Sequence, residues 1–273
     1  MKKAINHWAF PGGITLDEAC RQAAEAGFDG IELNVAAEGL LTPYSDEQQV
    51  KQVLETVTKY GLVVPSVSTG MLWQTPLTSP DPHVVSRGME VVRGQLRAAA
   101  WLGADTVLVV PGGVDAKTPY DQAYERALAA LRQLAPEAER FKVSIGVENV
   151  WNKFLLSPLE MRGFIDAVGS PYVGAYFDIG NVLVNGFPEQ WIRILGSRVR
   201  KVHLKDFKTS VGNIHGFCNL LEGDVDWPEV KKALQDVGYD GYVVAELGPY
   251  RHYPEQTIRD AAAAIDRWLA SES

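Results

Sequence analysis

Apolar positions along this chain follow two alternating rhythms. Short continuous runs rich in β-branched residues cover 4–6, 30–34, 63–68, 106–110, 143–148, 173–178, 199–203 and 242–246. Between them, apolar residues recur at helical spacing over 16–26, 46–60, 82–102, 120–141, 158–168, 189–195, 228–237 and 256–270. The eight runs lack strict polar–apolar alternation, which suits parallel strands covered on both faces or closed into a barrel. Thr15 with Glu18, Ser157 with Glu160 and Asp226 with Glu229 have the spacing of helix N-terminal caps. The phrase helix end, glycine, aspartate, strand recurs at Gly27–Asp29, Gly103–Asp105 and Gly238–Asp240. It reads as the αβ turn of a repeated βα unit.

Eight such units in 273 residues predict a single (β/α)8 TIM barrel spanning 1–273 as one domain. The rival, an open doubly wound sheet, is disfavoured because no G-x-G-x-x-G follows the first run. Hydrophobic residues at 46% and charged residues at 22% exclude a disordered chain. The net charge of −8 argues against nucleic-acid binding, and no 18-residue apolar stretch predicts a membrane span. The N-terminal residues lack a signal-peptide pattern, and Cys20 and Cys218 lack metal-knuckle spacing. A soluble, cytoplasmic protein is expected.

A barrel of this kind gathers its chemistry at the C-terminal ends of its strands. The last four runs end in or just past Glu148, Asp178, His203 and Glu246. Unpaired carboxylates at the ends of buried strands are costly, so a shared cation is the simplest partner. Three carboxylates and one imidazole suit one divalent ion, with Mn²⁺ favoured and Mg²⁺, Co²⁺ or Zn²⁺ as alternatives. Substrate-contact candidates are His7, Ser66, Trp73, Asn152, Asn181 and Lys205. Trp8, Glu32, Asn34 and Ser68 are weaker rim candidates. Lys205 either meets an anionic group or pairs with Asp206. The irregular stretch 207–225 reads as a lid or binding loop.

Gly27–Leu33, Val147–Phe154, Tyr176–Asn181, Val202–Asp206, Glu222–Trp227 and Ala245–Glu246 carry a resemblance to the xylose-isomerase-like TIM-barrel superfamily of sugar and sugar-phosphate isomerases and epimerases. The pattern is most similar to its L-xylulose-5-phosphate 3-epimerase and hexulose-6-phosphate isomerase group. The resemblance implies metal ligation by Glu148, Asp178, His203 and Glu246, with Glu148 and Glu246 also exchanging the substrate proton. Asn181 and Leu155 stand where the free-ketose epimerases of the superfamily carry histidine and glutamate. The implied activity is epimerisation or isomerisation of a ketose or ketose phosphate through an enediolate, with 3-epimerisation favoured. Alternatives are a keto-sugar or keto-inositol dehydratase or lyase on the same metal site, and a non-catalytic sugar-binding barrel. The expected partner is a small sugar or sugar phosphate. Trp101, Trp191 and Trp268 suit either helix–helix packing or a subunit interface, which leaves a homo-oligomer open.

Overall fold

The computed structural model describes residues 1–271. In chain order the elements are β1 (Lys2–Asn6), α1 (Leu16–Glu25), β2 (Gly30–Val35), α2 (Glu47–Thr58), β3 (Ser66–Thr69) and α3 (Pro82–Leu102). Next come β4 (Thr106–Val109), α4 (Tyr120–Phe141), β5 (Ser144–Glu148), α5 (Pro158–Val168), β6 (Val173–Asp178), α6 (Pro188–Leu195) and β7 (Val199–Leu204). The chain finishes with β8 (Asp206–Phe207), β9 (Phe217–Cys218), α7 (Trp227–Asp236), β10 (Tyr242–Ala245) and α8 (Pro254–Ala270). Strands β1 to β7 and β10 close into an all-parallel barrel, with β10 hydrogen-bonded between β7 and β1. The expected (β/α)8 architecture is therefore present. Strands β8 and β9, which the pattern did not predict, form a small antiparallel pair inside the long loop after β7.

Local chemistry explains the element ends. Gly27, Gly103 and Gly238 each take a positive φ, between +71° and +82°, and turn the chain from helix to strand. The third run starts later than expected because Pro65 has no amide hydrogen to continue a ladder; Val63 makes only an isolated bridge to Gly30. Thr15, Ser157 and Asp226 each accept the predicted N3 amide hydrogen bond. Glu18 does not return the bond to Thr15, however, because its carboxylate is drawn to Arg21. A reciprocal capping box forms instead at Asp46 and Gln49.

The two strand faces meet different surroundings. Ile31, Leu33, Val107, Val109, Ile145, Val147, Phe177, Val202 and Leu204 belong to the main apolar core. Alternate positions point into the lumen, where hydrogen bonds run from Glu32 on β2 to Tyr176 on β6 and His203 on β7. A small apolar cluster of Leu108, Val110 and Tyr176 fills the remaining space. The lumen is thus polar where barrels of this class usually stack branched aliphatics. The period-2 signal is a matter of lumen polarity: Glu32 and Asn34, Ser66 and Ser68, Tyr176 and Asp178.

Candidate active site

Four strand ends supply the site. Glu148 ends β5 and Asp178 ends β6; His203 lies in β7, and Glu246 follows β10. A register shift between Ala175 and Tyr176 brings Asp178 directly opposite His203, a displacement typical of a bulge that re-aims a side chain. The amide of Glu246 still donates to Leu204 O at 3.1 Å, so its side chain keeps the strand's direction. One ligand-type atom from each of Glu148, Asp178, His203 and Glu246 lies within 4.8 Å of all the others. His203 Nδ1 is 2.7 Å from Glu246 Oε2 and 3.4 Å from Glu148 Oε1.

The electrostatics are those of crowded, buried charge. Burial pushes Glu148 up to about 7, with the neighbouring Glu246 carboxylate acting in the same direction. Asp178 is raised as well, chiefly by burial. Burial also works against Glu246, but Lys205 and His203 hold its carboxyl well below the usual range. His203 would lose its proton on burial alone; Glu246, Glu32 and Glu148 together raise it well above the ordinary histidine value. Lys205 Nζ lies 3.1 Å from Asp178 Oδ2 and 3.0 Å from Glu246 Oε2. Neither oxygen is in a properly aligned hydrogen bond, so both are buried acceptors aimed at the shared centre. Two carboxylate oxygens, charge-balanced by Lys205 but without an aligned hydrogen bond, lie beside an imidazole nitrogen, the donor set a divalent cation takes.

The other candidates divide into cavity wall and scaffold. A cavity of about 360 Å³ reaches Glu148 and Glu246 of this cluster, walled by Trp8, Thr69, Trp73, Trp151, Ile214 and Phe217, with Asn181 and Lys205 on its lining. Trp73 is 54% exposed. The Asn181 amide donates to Asp178 Oδ1 at 2.8 Å, and its side chain to Asn149 O at 2.9 Å. It therefore orients a site carboxylate while lining the cavity. Asn152 spends its side chain on Gly112 O and the Phe154 amide, shaping the loop after β5. Ser66 is fully buried below the cavity, donating to Glu32 at 2.7 Å. His7 packs against Phe10 at 5.8 Å, beside the cavity residue Trp8, and its Nε2 is buried without a partner.

Lys205 does not pair with its neighbour Asp206. That carboxylate is fully buried and accepts from Phe207 N, Gly223 N, Val225 N and Trp227 Nε1 at 2.9–3.2 Å. The pairing is geometrically barred, because adjacent residues on an extended chain point to opposite sides. The sequence marks Glu32 only as a weak rim candidate, whereas it bonds His203, Ser66, Tyr176 and Asn6 in the lumen. Its signal was the polar alternation of Glu32 with Asn34 in an otherwise apolar run. Trp8 is a weak rim candidate in the sequence and Phe217 lies in the expected lid or binding loop, but Trp151 is not singled out there as a cavity wall. Trp151 belongs to a loop whose approach to the rim no local pattern encodes.

The sequence profile of the xylose isomerase-like TIM barrel matches residues 20–270. The chain belongs to that family. Among curated proteins it is 27% identical over 267 residues to L-ribulose-5-phosphate 3-epimerase UlaE of Salmonella paratyphi A, covering 96% of this chain and 91% of that one. The Escherichia coli (strain SE11) protein of the same name is 25% identical over 262 residues, covering 94% and 88%. Among solved structures, an L-ribulose 3-epimerase superposes with a TM-score of 0.82 at 20% identity, covering 98% of this chain and 94% of that one. A D-psicose 3-epimerase from Clostridium cellulolyticum H10, with D-tagatose, gives 0.81 at 19% identity, covering 98% of each. At that level of identity these superpositions speak for the fold. No helix among the described residues is long and apolar enough to cross a membrane.

Proposed function

We propose that this protein is a divalent-metal-dependent epimerase or isomerase of a ketose or ketose phosphate, with 3-epimerisation the favoured reaction. The observation that carries the reading is the convergence of Glu148, Asp178, His203 and Glu246 on one point, with Glu148 and Glu246 opening onto the cavity. The L-ribulose-5-phosphate 3-epimerases, similar over nearly the whole chain, support the same class of substrate. Mn²⁺ is the favoured ion for this oxygen-rich set.

A carbon next to a ketone is too weakly acidic for an unaided carboxylate to deprotonate quickly. A bound divalent cation supplies the positive charge that lowers that barrier. The protein's own contribution is the placement of two carboxylates. Glu148 and Glu246 come from strands on different sides of the cavity floor, so one can remove the C3 proton while the other returns a proton to the opposite face. The resulting enediolate, reprotonated with inversion, gives the epimer. Asp178 and His203 act as holding groups. Lys205 Nζ, beside Glu246, is placed to donate to a substrate oxygen, and Trp73 to stack on the sugar's apolar face.

The test is metal-dependent incorporation of solvent deuterium at the carbon next to the ketone, followed by NMR. The substrates are ketoses and ketose phosphates, with L-ribulose 5-phosphate among them. Glu246→Gln is expected to lower turnover by about 10²-fold or more. Near-normal turnover in that variant refutes the assignment. A dehydrated or cleaved product would instead identify lyase chemistry on the same site, and binding without exchange a silent barrel.

A further inference from the structure

We infer that Glu32 is a positioning residue for the metal centre: it fixes the imidazole of His203 from behind, so that Nδ1 faces the cation. The inference rests on the proposal that His203 is a metal ligand. Its geometry is independent of that proposal. His203 has two ring nitrogens, and both have carboxylate neighbours. Nδ1 faces Glu246 and Glu148 at the cavity floor, while Nε2 is 2.8 Å from Glu32 Oε2 on the side away from the cavity. Both Glu32 and His203 are fully buried. A neutral imidazole donates through one nitrogen and accepts through the other. A cation on Nδ1 takes the lone pair of that nitrogen, so the one remaining ring proton sits on Nε2, where Glu32, which can only accept, holds it.

Glu32 is itself over-determined. Its Oε1 accepts from Ser66 Oγ at 2.7 Å and from the Tyr176 hydroxyl, and its Oε2 accepts from Asn6 Nδ2. These donors come from β3, β6 and β1, so three strands hold a carboxylate that reaches from β2 toward β7. The Tyr176 ring also packs 4.4 Å from the imidazole and limits its rotation. A buried carboxylate that merely filled the lumen would be better replaced by an aliphatic side chain. One that sets the proton position of a ligand cannot be.

The experiment measures Mn²⁺ affinity by competition with a chelator for wild type, Glu32→Gln and Ser66→Ala. Glu32→Gln keeps the shape and removes the charge. Its Mn²⁺ dissociation constant is expected to rise about 10–100-fold, the usual effect of losing such a partner. Ser66→Ala loosens Glu32 without removing it and should give a smaller rise in the same direction, with far-UV circular dichroism unchanged in both. Should Glu32→Gln fail to fold, ¹⁵N NMR of the wild-type protein loaded with diamagnetic Zn²⁺ decides: the proton of His203 must reside on Nε2. A Glu32→Gln dissociation constant within about twofold of wild type, or a proton on Nδ1, overturns the inference and leaves the functional proposal standing. If the wild type takes up no divalent cation, both fall together.

Discussion

Asp206 holds down the loop that forms one wall of the cavity, and its removal offers a prediction independent of the chemistry. Its Oδ1 accepts from Phe207 N at 2.9 Å and Val225 N at 3.2 Å, and its Oδ2 from Gly223 N and Trp227 Nε1 at 3.0 Å each. A side chain on residue 223 would collide with the carboxylate, so glycine is required there. Asp206→Asn keeps the shape but turns one oxygen into a donor. Whichever oxygen is replaced, two backbone or indole donors lose their acceptor. At about 1–3 kcal/mol for each unsatisfied donor, the cost is about 2–6 kcal/mol. A chain of this size loses roughly 2–4 °C in Tm per kcal/mol, so thermal unfolding should begin roughly 4–24 °C lower. Hydrogen exchange should quicken across 207–225. Phe217 pairs with Phe207 across β8 and β9 and lines the cavity, so substrate KM should rise as well. A Tm within about 1 °C of wild type, or unchanged exchange in that loop, refutes this account.

Three further outcomes are expected. Trp73→Ala removes an exposed ring from the cavity wall and should raise the KM for the preferred sugar roughly 2- to 10-fold with little change in kcat, measured by steady-state kinetics. Burial pushes the Cys20 thiol up to about 12 and that of Cys218 up to about 11, the latter with Asp206 and Glu222 adding to the effect. Both are therefore protonated at pH 8, and a disulfide reagent should label them far more slowly than a free cysteine, which absorbance at 412 nm would report as about a hundredfold or greater deficit. Saturating Mn²⁺, at about 100 times its dissociation constant, should stabilise the fold by about 2.7 kcal/mol, and a chelator should reverse the gain in a thermal-shift assay.

The barrel was legible because its signal is repeated. Gly27, Gly103 and Gly238 mark the same turn three times, and each strand carries its own apolar run. The four converging residues were legible for a related reason: in a parallel barrel, strand ends share one rim, so linear position translates into spatial proximity. Lys205 was harder. Its neighbour Asp206 is nearer in sequence than Asp178 or Glu246, yet strand alternation turns the two adjacent side chains apart. Glu32 stands 171 positions before His203, and only closure of the barrel brings them together. The aromatic walls depend on loop paths fixed by contacts such as Trp151 against Phe217 at 5.1 Å, which no local periodicity encodes.

The placement of Lys205 between Asp178 and Glu246 bears on how the molecule is made. With burial opposing its charge, the ammonium is still held strongly protonated by those two carboxylates. The folded acidic centre thus carries its own counter-ion, and closure of the barrel does not require a bound metal to balance Asp178 and Glu246. On the proposed reading, metal uptake would then exchange one cation for another, separately from folding.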